Sequence, residues 1–300
     1  MPPLVATYSI VAYDRATGEV GVAVQSKFIA VGAVVPWARA GIGAVATQAL
    51  ANTAYGPEGL RLLAEGVSPQ DALDRLTAAD PQAADRQAGI VDARGRAATY
   101  TGSGCSSWAG GHAGDGYAAQ GNILVSEATV AAMAATFERA SGPLSVRLLS
   151  ALAAGQAAGG DSRGMQAAAL LVARDGGGYG GHNDRYLDLR VDDHPSPIAE
   201  LQRIHDLYTL YFPPAGPRNL APIDAGLARE LQGMLARRGD YAGASPSGVF
   251  DEATRMALRA YATRENLEER VTTATLDGGV IDAVALRYMR EHDERDRPRR

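Results

Sequence analysis

The chain has 300 residues, 46% hydrophobic and 21% charged, which is enough apolar material for a substantial core in one large domain with a small companion. A formal net charge of -5 and a pI near 5.6 give no electrostatic basis for nucleic acid or an anionic membrane as partner. A single cysteine, Cys105, excludes an intrachain disulfide framework and a thiolate zinc site of its own, and fits a reduced compartment. The start "MPPLVATYSI" lacks the basic and apolar regions of a secretory signal, and no stretch offers the roughly 20 uncharged apolar residues of a membrane helix, so a cytoplasmic location is expected. Lys27 is the only lysine against 28 arginines, an imbalance that reads as the coding bias of a GC-rich genome.

In chain order, "TYSIVAYD" and "EVGVAVQS" flank "RATG", where Gly18 can take the positive φ of a tight hairpin, so two antiparallel strands are predicted. "GAVVPWARAGIGAVATQA" continues in short β-branched pieces broken by Pro36 and Gly41, a further strand pair ending near Gln48. The period then changes. Leu60, Leu63 and Ala64, then Ala72, Leu73 and Leu76, recur at helical spacing, with Ser68 as N-cap and Pro69 in the first turn of the second helix. "RQAGIVDARGRAATYTG" alternates again about "DARG" as a second hairpin. The following "SGCSSWAGGHAGDGYAAQGNIL" is so rich in glycine that it reads as an ordered loop crossing a site or a sheet edge.

"SEATVAAMAATFERA" and "PLSVRLLSALAAGQAAGG" are two more helices, the first opened by a loose capping box of Ser126 with Thr129, and strands return with "MQAAALLVAR" and "YLDLRVDD". This alternation predicts an α+β body, residues 6–211, with two stacked, mainly antiparallel sheets and a helix pair on each outer face. Four prolines in "FPPAGPRNLAP" mark 212–223 as a linker. Residues 224–293 read as a small helical module, and "HDERDRPRR" as a charged, disordered tail.

Several of these motifs, "TYSIVAYD", "GEVGVAVQSKFIAVGAVVPWARAGIGAVATQA", "QGNIL", "GQAAGGDSRGMQAAALLV" and "NDRYLDLRVDDHPSPI", resemble domain of unknown function 1028 over about residues 6–205. The resemblance implies the four-layer α/β/β/α sandwich of the N-terminal-nucleophile (Ntn) hydrolases. The carboxyl module, with "LQGMLARRGDY" and "GVFDEATRMALRAYATRENLEER", resembles a peptidoglycan-binding domain attached to this family. In such hydrolases the first residue of the first strand is a Thr, Ser or Cys that attacks an amide carbonyl while its own α-amine takes the proton.

Carried onto this sequence, removal of "MPPLVA" leaves Thr7 as the nucleophile. Ser9, on the same strand face, is the second candidate or a supporting partner. If Met1 stays attached, a base must come from elsewhere, and Lys27, beside Ser26 at the end of the paired strand, is the residue to examine, provided burial lowers its pKa. Thr and Ser at strand starts also serve simply as β-formers or local hydrogen-bonding groups.

Other polar positions carry two readings each. Asp161 and Arg163 in "GGDSRG" suit a carboxylate-binding turn or a helix C-cap with a local ion pair. Asn122 in "GNIL" suits an oxyanion donor or substrate contact, or a turn, and Gln48 and Asn52 in "QALAN" share that ambiguity. "HNDRYLDLRVDDH" matches no metal-ligand spacing and reads as an edge strand with a salted outer face, and Cys105 as a buried, inert thiol. No metal or other cofactor is called for. The expected activity is amide hydrolysis of a small acylated amino acid, peptide or related compound; the alternative is a non-catalytic ligand-binding or cell-wall-associated protein on the same fold. Expected partners are that substrate and, through the carboxyl module, a peptidoglycan fragment, with a homo-oligomer left open.

Overall fold

The computed structural model describes residues 7–214, 216–241, 243 and 245–296; the expected cleavage segment "MPPLVA" and the last four residues lie outside them. The chain divides into two units, one up to Ile204 and one from His205.

In the first unit, β1 (Thr7–Tyr13) and β2 (Val20–Ser26) form the predicted hairpin, in register from Thr7 opposite Ser26 to Tyr13 opposite Val20. Gly18 takes φ 73° in its turn. β3 (Pro36–Arg39) and β4 (Gly43–Ala49) lead to α1 (Tyr55–Ala64) and α2 (Pro69–Ala78), whose N-cap Ser68 accepts the Asp71 N–H. There follow β5 (Arg86–Asp92), β6 (Ala97–Thr101), β7 (Gly110–Gly114), β8 (Tyr117–Asn122), α3 (Ala128–Arg139), α4 (Leu144–Ala157), β9 (Ala167–Ala173), β10 (Arg185–Val191) and α5 (Pro197–Tyr211).

The strands make a six-stranded sheet in the order β10-β9-β2-β1-β8-β7 and a four-stranded sheet in the order β3-β4-β5-β6. Period-two alternation gives each sheet two buried faces. Val11, Val20, Val22 and Val24 meet Ala44, Ala46 and Val91 in the core between the sheets. On the outer face of the four-stranded sheet, Val45, Ala88 and Ile90 are covered by Leu62 and Leu63 of α1 and Leu73 and Leu76 of α2. α3 and α4 pack on the opposite face of the six-stranded sheet, where Tyr8 reaches α4 and donates to Gln156 Oε1 at 3.0 Å.

The glycine-rich segment 103–124 is not a loop throughout. It holds β7 and β8, and β8 is an interior strand between β1 and β7. Glycine and alanine are weak strand formers on their own; here their small size admits close neighbours. A Cβ at Gly121 would stand 2.5 Å from the Leu124 side chain and 3.0 Å from Tyr8 Cβ. The capping box at α3 is also absent: Glu127 occupies the N-cap without a side-chain bond, and Thr129 Oγ1 instead accepts the Gly160 N–H at 3.2 Å.

The second unit contains β11 (Leu220–Pro222), α6 (Ala225–Arg237), α7 (Glu252–Arg264), α8 (Thr273–Asp277), β12 (Val280–Asp282) and α9 (Ala283–Asp296). Asp224 and Asp251 cap α6 and α7, accepting the N–H groups of Leu227 and Thr254. Leu231, Leu235, Leu258, Tyr261 and Ile281 lie in its core. Three expectations change here. The division falls inside α5 because Leu210 and Tyr211, at its end, pack against this core. The linker shrinks because Leu220–Pro222 pairs antiparallel with β12. The "HDERD" portion of the supposed tail belongs to α9, where buried Asp293 receives the Arg237 guanidinium at 2.7 and 2.8 Å.

The described residues of 212–219 belong to no helix or strand and are mostly exposed. Proteinase K is therefore expected to nick first between Phe212 and Asn219, read by N-terminal sequencing of the fragments; a first cut within 103–124 would contradict it.

Candidate functional site

Along β1 the inter-sheet face changes character, from Val11 to Ser9 to Thr7. The ends of β2, β4, β5 and β8 bring Ser26, Gln48, Gln87, Gln120 and Asn122 to the same level. Thr7, Ser9, Ser26, Gln48, Gln87 and Gln120 are fully buried, and Asn122 is 1% exposed.

These side chains hydrogen-bond one another across the two sheets. Ser9 Oγ donates to Gln48 Oε1 at 2.6 Å and accepts from Gln120 Nε2 at 2.7 Å. Gln48 Nε2 donates to Gln87 Oε1 at 2.8 Å and to the Thr7 carbonyl at 3.2 Å. Asn122 Nδ2 also donates to Gln87 Oε1, at 2.9 Å. Gln87 Nε2 reaches the Gly121 carbonyl at 2.7 Å and Thr101 Oγ1 at 2.9 Å. Thr7 Oγ1 donates to Ser26 Oγ at 3.1 Å, and Thr7 stands directly opposite Asn122 on the neighbouring strand. Gly89 leaves the space in which Gln120 crosses the layer, since a Cβ there would lie 2.0 Å from Gln120 Oε1 and displace that carboxamide.

The layer is built only of hydroxyls and carboxamides, none of which titrates near neutrality. It is bounded by two left-handed non-glycine residues. Ala49 (φ 68°) follows Gln48, and Ile123 (φ 52°) follows Asn122. Such backbone costs about 1–2 kcal/mol per residue and concentrates at functional sites.

At the end of β2 the 159–164 turn closes on the hairpin. Asp161, its side chain fully buried, accepts the backbone N–H groups of Lys27 at 3.0 Å and Arg163 at 2.9 Å, and the Arg163 guanidinium at 3.0 and 3.2 Å. Burial first, and then the Asp161 charge, push the Tyr8 phenol well above its ordinary pKa. Arg163 keeps 35% of its side chain exposed.

The sequence-predicted residues thus separate. Thr7, Ser9, Ser26, Gln48 and Asn122 form one layer. Asp161, Arg163 and Lys27 lie beside it at the end of the hairpin. Lys27 does not meet the burial required of it: alternation turns it away from Ser26's face, it is exposed, and its Nζ donates to the Met165 carbonyl at 3.2 Å. Asn52 is elsewhere, on the helix-covered side of the four-stranded sheet, donating to Asp80 Oδ2 at 3.0 Å. Asp80 also receives Arg86 Nε at 2.8 Å and the Tyr55 hydroxyl at 3.1 Å beneath a cleft of about 470 Å³ between α1 and α2. The Arg86 bond, opposed by burial, holds the Asp80 carboxyl well below the usual carboxylate range. Cys105 is half-buried, its thiol pushed up by burial.

Sequence reading missed Gln87 and Gln120. Alternation in "RQAGIVD" already puts Gln87 on the face of Gly89 and Val91, opposite Arg86, but does not say which face meets the other sheet.

A family model described as a family of unknown function, DUF1028, matches residues 7–201, and one described as "Putative peptidoglycan binding domain" matches 212–289. A crystal structure of protein SPO2555 from Silicibacter pomeroyi, assigned to the same family, is similar with a TM-score of 0.62 and 33% identity, over 68% of this chain and 86% of that one. The chain belongs to the DUF1028 family and carries a peptidoglycan-binding-like domain at its carboxyl end. No match to a curated protein was found.

Gln48→Leu leaves the Ser9 hydroxyl and Gln87 Oε1 short of partners and is expected to cost about 2–4 kcal/mol in chemical denaturation. Asp80→Asn is expected to cost about 3 kcal/mol at pH 7. The depressed Asp80 carboxyl contributes stability that is fully present above the unfolded carboxylate value of about 3.9 and is lost as pH falls toward its folded value, so wild type loses more stability on acidification than Asp80→Asn. Parallel acid slopes in the two proteins would contradict this.

Proposed function

We propose that the chain is an amide hydrolase of the N-terminal-nucleophile kind, its stacked layers read as the Ntn sandwich and Thr7 as the nucleophile once the chain is cut before it. One observation carries the reading. Thr7 is the first residue of β1, its hydroxyl lies between the sheets, and the described side chains of its layer are neutral, so that layer supplies no general base. A free α-amine on Thr7 supplies one on the same residue.

In the proposed reaction Thr7 Oγ attacks the substrate carbonyl while the α-amine takes its proton. The tetrahedral intermediate collapses, the C–N bond breaks, and the proton passes to the leaving amine. Water, deprotonated by the same amine, then cleaves the acyl ester and restores Thr7. Asn122, opposite Thr7 and carrying a second Nδ2 proton beyond the one given to Gln87, is the side-chain donor for the developing oxyanion. Ser9 is a positioning residue, since its proton is committed to a carboxamide oxygen that cannot accept it outright. Arg163, at the same end of the hairpin and partly exposed, is the cationic group for a substrate carboxylate, which favours an acylated amino acid or short peptide. The carboxyl domain supports a peptidoglycan fragment as one source of such an amide. Among the described residues no helix is long and apolar enough to cross a membrane.

The complete burial of Thr7 and Ser9 in the full-length chain favours a second reading, a non-catalytic ligand-binding protein that is never cut. Intact-mass measurement separates the two: a chain starting at Thr7 supports the hydrolase, and one that keeps Pro2 supports the binder. In the processed protein, Thr7→Ala is expected to abolish amide hydrolysis with the fold intact, while Thr7→Ser retains it. The rate is expected to fall as pH drops below about 8, where a free α-amine becomes protonated. Full activity in Thr7→Ala would sink the proposal.

A further inference from the structure

β7 is an edge strand, paired only with β8. Its sequence is "GGHAG", and Gly111, His112 and Ala113 are exposed. Sheet edges are usually blunted by charge, proline or a bulge because they template pairing with another chain. The opposite edge, β10, is guarded by Arg185, Asp188 and Arg190. β7 carries no proline, carboxylate or ammonium.

Beside it, β7 and α3 frame a groove of about 380 Å³. Register with Gly121, Ala119 and Tyr117 puts Gly110, His112 and Gly114 on the α3 side, so the two glycines leave His112 as the strand's only side chain there. α3 contributes one stripe, with Glu127 and Glu138 at its ends and Val130, Ala131, Ala134 and Ala135 between them. Trp108 lies over Gly110 at the Glu127 end, and Tyr117 donates to Glu138 at 2.7 Å at the other. Among the described residues no lysine or arginine lines the groove.

We propose that this groove docks an extended basic peptide segment, added to β7 as a further strand. Main-chain bonds to the edge supply affinity, and alternate side chains entering the groove supply selectivity. Gly110 to Gly114 spans ~13 Å at ~3.3 Å per residue. Glu127 to Glu138 spans ~16 Å at ~1.5 Å per residue. Residues i and i+4 of the peptide therefore bring lysine or arginine to the two carboxylates, and residue i+2, apolar, lies over His112 against Ala131 and Ala134. The pattern is basic-x-apolar-x-basic. A second copy of this chain fits less well: antiparallel pairing of two β7 strands about His112 would set Glu127 of each against Glu138 of the other. The site is separate from Thr7 and does not depend on hydrolysis.

The test is fluorescence anisotropy of labelled Lys-Thr-Leu-Thr-Lys with the full chain. Saturable binding is expected, weakened at least tenfold by N-methylation of alternate peptide amides and by E127K/E138K. Both glutamates are exposed, so the variant is expected to fold, with its Tm lowered by loss of the Tyr117–Glu138 bond, and it should gain binding of Glu-Thr-Leu-Thr-Glu. The proposal is overturned by absence of saturable binding, by equal binding of the acidic peptide to wild type, or by indifference to E127K/E138K. It is equally overturned if sedimentation shows a dimer that this variant dissolves while the peptide fails to bind.

Discussion

The need to satisfy buried carboxamides between two sheets governs the first unit. Gln48 sits at the centre of that requirement, because its one side chain serves Ser9 and the Thr7 carbonyl on β1 and Gln87 on β5. In a low-dielectric interior each of these bonds is stronger than in water, and each orphaned partner correspondingly costly. The valine and alanine core a few residues away holds the sheets together by non-directional burial. The amide layer is directional, since a shift along either sheet breaks several bonds at once.

That layer also explains where the charges are. Adjacent residues on a strand serve opposite faces, so Gln87 enters the neutral layer while Arg86 turns outward to Asp80. Likewise Ser26 faces inward, and the Lys27 N–H is held by Asp161 outside the layer. Formal charge is kept to the flanks, where it clamps the loops that close the layer. A reaction centred on Thr7 would run among fixed neutral dipoles, with its proton acceptor on the nucleophile's own residue.

The second unit is built on a different principle. Its helices start at side-chain caps, Asp224, Asp251 and Thr272, and its irregular connections are pinned by arginines. Buried Arg270 joins Asp282 at 3.1 Å and the carbonyls of Thr209 and Leu210, which fastens the end of α5 to this core.

By itself the sequence determined what local physics determines. The β1–β2 hairpin follows from alternation and Gly18, α2 from Ser68 and Pro69, and the placing of Thr7 and Ser9 on one face from the two-residue period. It also carried enough motif to identify the family. It did not determine β7 and β8, because glycine and alanine have no intrinsic strand preference, and those strands exist only because β1 pairs with β8 and β8 with β7. It did not distinguish Gln48 from Asn52, four residues apart in one loop-like stretch, since only the stacking of the sheets shows that the first enters the layer and the second joins Asp80. Nor did it bring in Gln87 and Gln120, whose partners lie 35 or more residues away in three of their four side-chain-to-side-chain bonds, the fourth being that of Gln87 to Thr101. Which face of a strand meets another sheet is decided by long-range packing, and no local period encodes it.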